Sequence, residues 1–202
     1  MGWVRNIVLV LCFCLAGGGA ARAQMSQDLG PQAPGDFSFY VLALSWVPAY
    51  CADTPHASPQ ECSGSAQGFA LHGLWPQGDN GYPSSCAATA LPADAVQNYA
   101  GLFANPAMIS HEWAKHGTCT GLDPTAYFEL IKTIRAAVTI PDVYNQAQPV
   151  DPGDGASVVQ AFQAANPGWP PGAVVITYRQ DGKINDLEIC FSKAGVAQAC
   201  PQ

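Results

Sequence analysis

Charged residues are scarce in this chain of 202 residues. Asp, Glu, Lys and Arg together make up 11% of it, and only eight residues are Lys or Arg, which gives a formal net charge of −7. The sequence contains no long block of one charge, no basic patch and no internal repeat. Because proteins usually bind long nucleic acids through an extended basic surface, the composition disfavours that mode of binding.

Hydrophobic runs are short as well. The apolar run from Ile7 to Ala16 cannot span a bilayer, which needs about 20 residues. Arg5 precedes this run and Ala21-Arg22-Ala23 follows it, an order typical of a secretory signal peptide. We therefore expect residues 1–23 to be cleaved off, no membrane span in the mature protein, and export to the periplasm or the medium. An uncleaved N-terminal helix is the alternative.

The CxxC spacing is also absent, which disfavours a thiolate zinc site and a thioredoxin-type redox motif. Cleavage after Ala23 would remove Arg5 and Arg22 but no acid, so the net charge would become −9, and six of the eight cysteines would remain. These are Cys51, Cys62, Cys86, Cys119, Cys190 and Cys200. An even number of cysteines in an exported chain predicts disulfides, although the sequence leaves their pairing open.

The mature length of about 180 residues fits one domain with a single core. With 20 glycines and 17 prolines, the chain is expected to be rich in turns. Residues 24–36 are polar, contain two prolines and have no hydrophobic period, which predicts a flexible leader. We therefore predict a single domain over residues 37–202.

Hydrophobic patterns predict an α+β fold in which several helices flank an antiparallel sheet. The predicted strands are Phe37–Trp46, Gly68–Leu74, Ala173–Tyr178 and Ile184–Phe191, and the predicted helices are Ala93–Phe103, Ala107–His116, Pro124–Val138 and Ala156–Ala165. Asp123 is a suitable N-cap for the third helix, and Asp181-Gly182 is typical of a type I′ hairpin turn. In the second strand, alternation places His72 with Ala70 and Leu74 on one face.

Four polar residues, His111, Glu112, Lys115 and His116, share one broad face of the second predicted helix. A solvated amphipathic face with incidental charge pairs is one interpretation. A zinc site is a second, but the zinc motif needs histidines four residues apart, and the five-residue spacing here turns the two imidazoles about 140° away from each other. Lys115 would also repel the metal ion.

The third interpretation is cleavage of an RNA phosphodiester without a metal. This reaction needs a base for the 2′-hydroxyl proton, an acid for the departing 5′-oxygen, and positive charge beside the phosphoryl oxygens. Imidazoles suit the first two roles because one can be neutral while another is protonated near neutral pH. Lys115 suits the third role, and Glu112 can orient an imidazole or hydrogen-bond the transition state.

Another histidine lies in the segment His72-Gly73-Leu74-Trp75-Pro76-Gln77. Taken alone, a strand histidine such as His72 is more typical of a core residue with satisfied hydrogen bonds. Trp75 is either a core anchor or, beside a nucleotide, a surface on which a base stacks. Tyr82 is a second candidate stacking ring on its position alone.

Two segments, Phe69-Ala-Leu-His72-Gly-Leu-Trp75-Pro76 and His111-Glu112-Trp-Ala-Lys115-His116-Gly-Thr-Cys119, resemble the two active-site segments of the ribonuclease T2 family. The resemblance implies an endoribonuclease of the family's α+β fold that cleaves single-stranded RNA to 2′,3′-cyclic phosphates and then to 3′-phosphates. It implies His72 and His116 as the acid and base pair, with His116 as the base and His72 as the acid, or the reverse.

The resemblance also assigns the other candidate site residues. Glu112 and Lys115 would stabilise the pentacoordinate phosphorus, His111 would contact the phosphate, and Trp75 would contact the base. Gln77 stands where some members carry a base-reading aspartate, so it is a candidate substrate contact, and the base preference of those members does not carry over.

The family pattern implies the disulfides Cys86–Cys119 and Cys190–Cys200, which leaves Cys51 to pair with Cys62. It implies no metal and no other cofactor, and a monomer is the expected state. Because the chain is acidic, we expect a small cleft for a few nucleotides and better activity at mildly acidic pH, where histidines become charged. A secreted non-catalytic binding module and a secreted metallohydrolase are the competing hypotheses; the first does not explain the clustered histidines, and the second requires a metal.

Overall fold

The computed structural model describes residues 27–53, 59–62, 68–146 and 152–201. Within these ranges four strands form one sheet: β1 (Phe39–Trp46), β2 (Phe69–Gln77), β3 (Val174–Tyr178) and β4 (Ile184–Phe191). Their order across the sheet is β2-β1-β4-β3, and every neighbouring pair is antiparallel. The predicted α+β fold with an antiparallel sheet is thus confirmed. The predicted signal peptide, residues 1–23, lies outside the described residues.

Most of the helices lie between β2 and β3 in the chain. The helices are α1 (Val47–Asp53), α2 (Pro59–Cys62), α3 (Ala95–Asn98), α4 (Ala107–Lys115), α5 (Pro124–Ala136) and α6 (Gly155–Ala165), with 3₁₀ turns at Gly117–Cys119 and Asp142–Tyr144. Asp123 caps α5 as predicted, because its carboxylate accepts a hydrogen bond from the Ala126 N–H at 2.9 Å. Among the described residues, none of the helices combines the length and the hydrophobicity of a transmembrane span.

Three helices differ from the prediction: one is shorter than predicted, and α1 and α2 are not among the predicted helices. The predicted helix Ala93–Phe103 is too long, because α3 covers only Ala95–Asn98 and the chain continues from Tyr99 to Leu102 as hydrogen-bonded turns. Gly101 lies in this stretch, and glycine weakens a helix interior. Helix α1 is not among the predicted helices. It follows β1 directly, and Pro48 lies in its first turn, where the missing N–H removes no helical hydrogen bond.

The hairpin between β3 and β4 turns at Gly182, but the predicted type I′ turn is wrong. Gly182 has a φ of +82°, whereas Asp181, which a type I′ turn would also place at positive φ, does not. The Arg179 N–H donates to the Lys183 carbonyl at 2.8 Å and closes a longer loop. The Asp181 carboxylate accepts a hydrogen bond from the Lys183 N–H at 3.1 Å, which stabilises this alternative turn.

The main core lies between the sheet and the helices. Tyr40, Leu42 and Leu44 alternate along β1 and are buried in one cluster with side chains of α4, α5 and α6. The helix side chains in this cluster include Ile109, Trp113, Tyr127, Phe128, Ile131, Val158 and Phe162. Phe39 and Val41, on the other face of β1, pack in a smaller cluster with Cys190 and Cys200. Burial on both faces explains the nearly continuous apolar sequence of β1.

A β-bulge in β2 lies at His72. Gly73 and Leu71 pair with consecutive residues of β1, so His72 is an extra residue in β2. Such a bulge bends the strand and changes the direction in which its side chains point. The predicted alternation is therefore wrong beyond this point: Leu74 joins Phe69 in the main core cluster instead of sharing the face of His72.

Three disulfides crosslink the fold. Cys51–Cys62 joins α1 to α2, Cys86–Cys119 joins the loop after β2 to the 3₁₀ turn after α4, and Cys190–Cys200 joins β4 to the C-terminal segment. The second and third are the pairs that the family resemblance implies, and the first is the pair that then remains. The second one closes 33 residues of chain and tethers two segments that carry candidate site residues.

The first described residues, which belong to the predicted leader 24–36, are hydrogen-bonded to the domain. The Tyr82 N–H donates to the Gln27 carbonyl at 2.9 Å, and the Leu29 N–H donates to the Tyr82 carbonyl at 3.0 Å. The loop after β2 has backbone groups that need hydrogen-bond partners, and this segment supplies them.

Candidate active site

Trp75 lies at the centre of the candidate site residues. Its indole ring stacks on the His116 ring with centroids 5.3 Å apart and planes inclined by 29°, and it meets the His72 ring edge-on at 4.9 Å. The indole Nε1–H donates a 3.0 Å hydrogen bond to Glu112 Oε2. The structure therefore brings His72 from β2 together with Glu112 of α4 and with His116, which follows that helix.

Gly73 leaves the space in which the Trp75–Glu112 hydrogen bond forms. A Cβ atom at residue 73 would lie 2.0 Å from Glu112 Oε2 and 2.4 Å from Trp75 Nε1. Both distances are far shorter than van der Waals contact. Gly73 does not have a positive φ, so the position needs glycine for space and not for backbone conformation.

Glu112 is a fully buried carboxyl group. It has an exposed fraction of 0%, and its Oε1 has no hydrogen-bond partner among the described residues. Burial raises the pKa of Glu112 to about 7, and the opposing effects of His72, the Trp75 hydrogen bond and Lys115 are smaller. Below that pH the carboxyl is mostly protonated, and it can then donate a hydrogen bond to an oxygen atom placed beside it.

Replacing Glu112 with glutamine is expected to change stability in a pH-dependent way. When folding raises the pKa of a carboxyl from 4.5 to about 7, the native state is destabilised progressively as the pH rises from the lower value to the higher. Glutamine does not titrate, so the Glu112→Gln variant is not destabilised in this way. From about pH 4 to about pH 8, its free energy of unfolding should therefore rise by up to about 3 kcal/mol relative to that of the wild type. Urea unfolding at both pH values measures the difference.

Glu129→Gln is the matched control for this experiment, because Glu129 lies at an exposed position of α5. It removes the same charge and should show no comparable gain. If Glu112→Gln differed from the wild type by the same free energy at both pH values, the raised pKa of Glu112 would be contradicted.

His116 is buried as well, with an exposed fraction of 4%. Its Nδ1 has no hydrogen-bond partner within the described part of the chain. Burial lowers the pKa of His116 to about 2, and the positive charges of Lys115, His111 and His72 add to the effect. The imidazole is therefore neutral in the unliganded protein even at mildly acidic pH.

His72 has a different environment from His116. Its side chain is 35% exposed, and its Nδ1 lies 3.2 Å from Asp186 Oδ1 and 3.1 Å from Ser45 Oγ. Ser45 and Asp186 are direct partners in the pairing of β1 with β4. Neither residue is among the candidates predicted from the sequence. Acidic residues are depleted in strands, but β4 contains both Asp186 and Glu188, so this signal does not single out Asp186.

His111 and Lys115 lie on the more exposed side of α4. His111 is exposed and Lys115 is half-buried, whereas the other two members of the predicted face are buried. Partial burial and the charges of Lys115 and His72 lower the pKa of His111. Lys115 Nζ lies 5.5 Å from the centroid of the Tyr82 ring, so its positive charge is close to the histidine cluster.

Tyr82 and Gln77 lie at the side of this cluster. The Tyr82 ring is 5.9 Å from the His116 ring, and its hydroxyl has a pKa raised by burial and by the charge of Asp28. Gln77 ends β2 with an exposed fraction of 4%, and its Oε1 has no hydrogen-bond partner among the residues that the structure describes. Among the described residues, Tyr82 contacts a histidine ring, that of His116, whereas Gln77 has no contact with the histidines.

A cleft of about 230 Å³ opens beside His72. Its lining includes Ser45 and several polar or flexible side chains, namely Tyr50, Asn105, Met108, Arg179 and Asn185. His116 is not part of this lining, so the cleft lies on the His72 side of the cluster. It offers one guanidinium group and two amides to a ligand.

Paired imidazoles beside a buried carboxyl and a lysine, on an antiparallel α+β scaffold, are suited to acid–base catalysis. A sequence model of the Ribonuclease T2 family matches residues 37–198. The chain is 34% identical over 197 residues to a ribonuclease of Aeromonas hydrophila, covering 95% of this chain and 86% of that protein. It is 28% identical over 193 residues to ribonuclease DdI of Dictyostelium discoideum, covering 83% and 80% of the two chains.

The fold is also similar to that of solved ribonucleases. RNase NT in complex with 5′-AMP superposes with a TM-score of 0.65 at 21% identity, covering 83% of this chain and 92% of that one. The chain belongs to the ribonuclease T2 family. It is therefore a T2-type endoribonuclease, as the resemblance of its two histidine segments predicts.

Proposed function

We propose that this endoribonuclease cleaves single-stranded RNA by metal-independent transesterification, first to 2′,3′-cyclic phosphates and then to 3′-phosphates. The observation that carries the proposal is that the imidazoles of His72 and His116 contact the same indole, that of Trp75, beside Glu112. A phosphodiester bound at this cluster meets a proton acceptor at one imidazole and a proton donor at the other. Side chains alone can supply both proton transfers.

His116 is the base in this proposal. Its neutral imidazole takes the 2′-hydroxyl proton while the 2′-oxygen attacks phosphorus. The negative charge of a bound phosphodiester offsets the repulsion from Lys115 and His111, so the imidazolium becomes more stable when substrate is in place. In the second step His116 returns this proton to the 2′-oxygen as water opens the cyclic phosphate.

His72 is the acid. The Asp186 carboxylate, 3.2 Å from its Nδ1, stabilises the imidazolium form. The proton passes to the 5′-oxygen as the bond between that oxygen and phosphorus breaks, and in the second step the neutral ring takes a proton from the attacking water. Lys115 and the protonated carboxyl of Glu112 stabilise the charge on the phosphoryl oxygens, and His111 contacts the phosphate.

Aromatic and amide side chains hold the nucleosides. His116 covers one face of the Trp75 indole, and the Tyr82 ring beside His116 adds a second aromatic surface for a base. The amide of Gln77 supplies hydrogen bonds to a base edge. The cleft beside His72 has room for the leaving nucleoside, which Arg179 and the amide groups of its lining can contact.

Cleavage of RNA in EDTA tests the proposal. The purified protein should cut single-stranded RNA but not DNA of the same sequence, because only RNA has the attacking 2′-hydroxyl, and EDTA should leave the rate unchanged. The rate should be higher at about pH 5 than at about pH 8, since the acid imidazole and Glu112 lose their protons as the pH rises. Product analysis should show 2′,3′-cyclic phosphates before 3′-phosphates.

The same assay separates the competing hypotheses. Loss of cleavage in EDTA would indicate a metallohydrolase, and binding without cleavage would indicate a non-catalytic module. Export of the mature protein and a monomeric state complete the proposal. The three disulfides support export, because such crosslinks persist in oxidising compartments.

A further inference from the structure

Asp186 is a buried carboxylate in β4, on the side of His72 that faces the sheet. It has an exposed fraction of 4%. Its backbone N–H donates to Thr177 Oγ1 at 3.1 Å, and Asn185 Nδ2 donates to its Oδ2 at 2.6 Å. The backbone of Asp186 is therefore fixed by β3, and its carboxylate is held by Asn185 of its own strand. A charge this deeply buried is costly unless every lone pair that it presents has a donor.

The donors around Asp186 determine which nitrogen of His72 carries a proton. The single hydroxyl proton of Ser45 is donated to Asp186 Oδ1, so Ser45 Oγ faces His72 Nδ1 only as an acceptor. Asp186 Oδ1, 3.2 Å from the same Nδ1, is also an acceptor. Two acceptors at one ring nitrogen require that this nitrogen be a donor. Nδ1 of His72 is therefore protonated, and Nε2 is the nitrogen that exchanges a proton.

We propose that Asp186, with Ser45, is the positioning residue of His72: it fixes the Nδ1–H tautomer and stabilises the imidazolium, and so makes this histidine the general acid. The inference rests on the proposed function. His116 has no carboxylate at hydrogen-bonding distance among the described residues, which separates the two imidazoles into a stabilised cation and a neutral base. In the reaction Nε2 gives its proton to the 5′-oxygen as the P–O5′ bond breaks.

Other charged groups also face His72. The carboxyl of Glu112 and the imidazoles of His111 and His116 interact with it electrostatically, and Arg179 lines the same cleft. Asp186 is the group whose carboxylate lies 3.2 Å from the ring. Its removal should therefore change the protonation of His72 more directly than a change at those positions.

Asp186→Asn tests this role on two substrates that differ only in the leaving group. For a ribodinucleotide, kcat should fall by about 10- to 100-fold, which is part of the roughly 10²- to 10⁴-fold that a positioned general acid contributes. For a ribonucleoside 3′-(4-nitrophenyl phosphate), whose phenolate leaves without a proton, kcat should change by less than about 3-fold. The alkaline limb of the kcat/KM profile for the dinucleotide should move to lower pH, because the imidazolium has lost its carboxylate.

Three further variants make the test decisive. Ser45→Ala removes the other acceptor at Nδ1 of His72. It should also move the alkaline limb of the kcat/KM profile to lower pH, but by less than Asp186→Asn does. Asp142→Asn removes the same charge from an exposed aspartate and should match the wild type. If Asp186→Asn lowered kcat equally on both substrates and left the alkaline limb unmoved, Asp186 would have a merely structural role and the inference would be overturned.

His72→Ala distinguishes a failure of the proposed function from a failure of the role given to Asp186. An active His72→Ala enzyme contradicts the proposed function. An inactive His72→Ala enzyme beside an unaffected Asp186→Asn enzyme overturns only the role of Asp186.

Discussion

Alanine at His116 or at His72 is expected to lower kcat/KM for a ribodinucleotide by about 10²- to 10⁴-fold, the usual contribution of a positioned acid or base. The reason is that each imidazole carries one of the two proton transfers in the proposed mechanism. Steady-state cleavage at about pH 5 measures the effect. Because the two histidines act on one transition state, the double variant should lose much less than the product of the single losses.

The buried state of His116 allows activity and folding to be separated. A buried Nδ1 without a hydrogen-bond partner destabilises the native state by about 1–3 kcal/mol, so removal of the ring offsets part of the packing that alanine loses. Thermal unfolding should therefore show a folded His116→Ala protein at the assay temperature. His56→Ala, at the histidine outside both motifs, is the matched control and should retain activity. If a folded His116→Ala enzyme kept more than about a tenth of the activity, the acid–base pair would be wrong.

Much of the fold was predictable because its signals are local. Asp123 and Pro124 mark the start of α5 through capping and a fixed φ, and the nearly continuous apolar run of β1 needs only its own sequence to be recognised. The errors occur where local preferences compete. At Asp181-Gly182 a longer turn replaces the type I′ turn, and near Gly101 the predicted helix gives way to turns.

The candidate site was predictable only in part, and for a similar reason. Helical spacing is enough to group Glu112 with Lys115, and the resemblance of two segments adds His72. The contact between His72 and Asp186 joins residues 114 positions apart, and it depends on the register of β4 with β1 and on the bulge in β2. Neither register nor bulge can be read from a single strand, because both arise when strands pair.

Alanine at Gly73 is expected to lower kcat by about 10²-fold, although residue 73 has no side chain to take part in the reaction. The added Cβ would lie 2.0 Å from Glu112 Oε2, so the carboxyl and the Trp75 indole must move apart. A displacement of about 1 Å in a catalytic arrangement can reduce the rate 10²-fold. Because the same indole contacts His72 and His116, the displacement should change the position of both imidazoles. Single-turnover cleavage of a dinucleotide isolates this effect from product release.

Gly101→Ala is the matched control, because a Cβ at residue 101 would meet no atom within 4 Å. It adds the same methyl group and should leave kcat unchanged. Overpacking at residue 73 should lower the free energy of unfolding by about 1–3 kcal/mol, so the melting temperature must be measured with the rate. A folded Gly73→Ala enzyme with the kcat of the wild type would show that the Trp75–Glu112 hydrogen bond does not position the histidines, and the central role given to Trp75 would then be untenable.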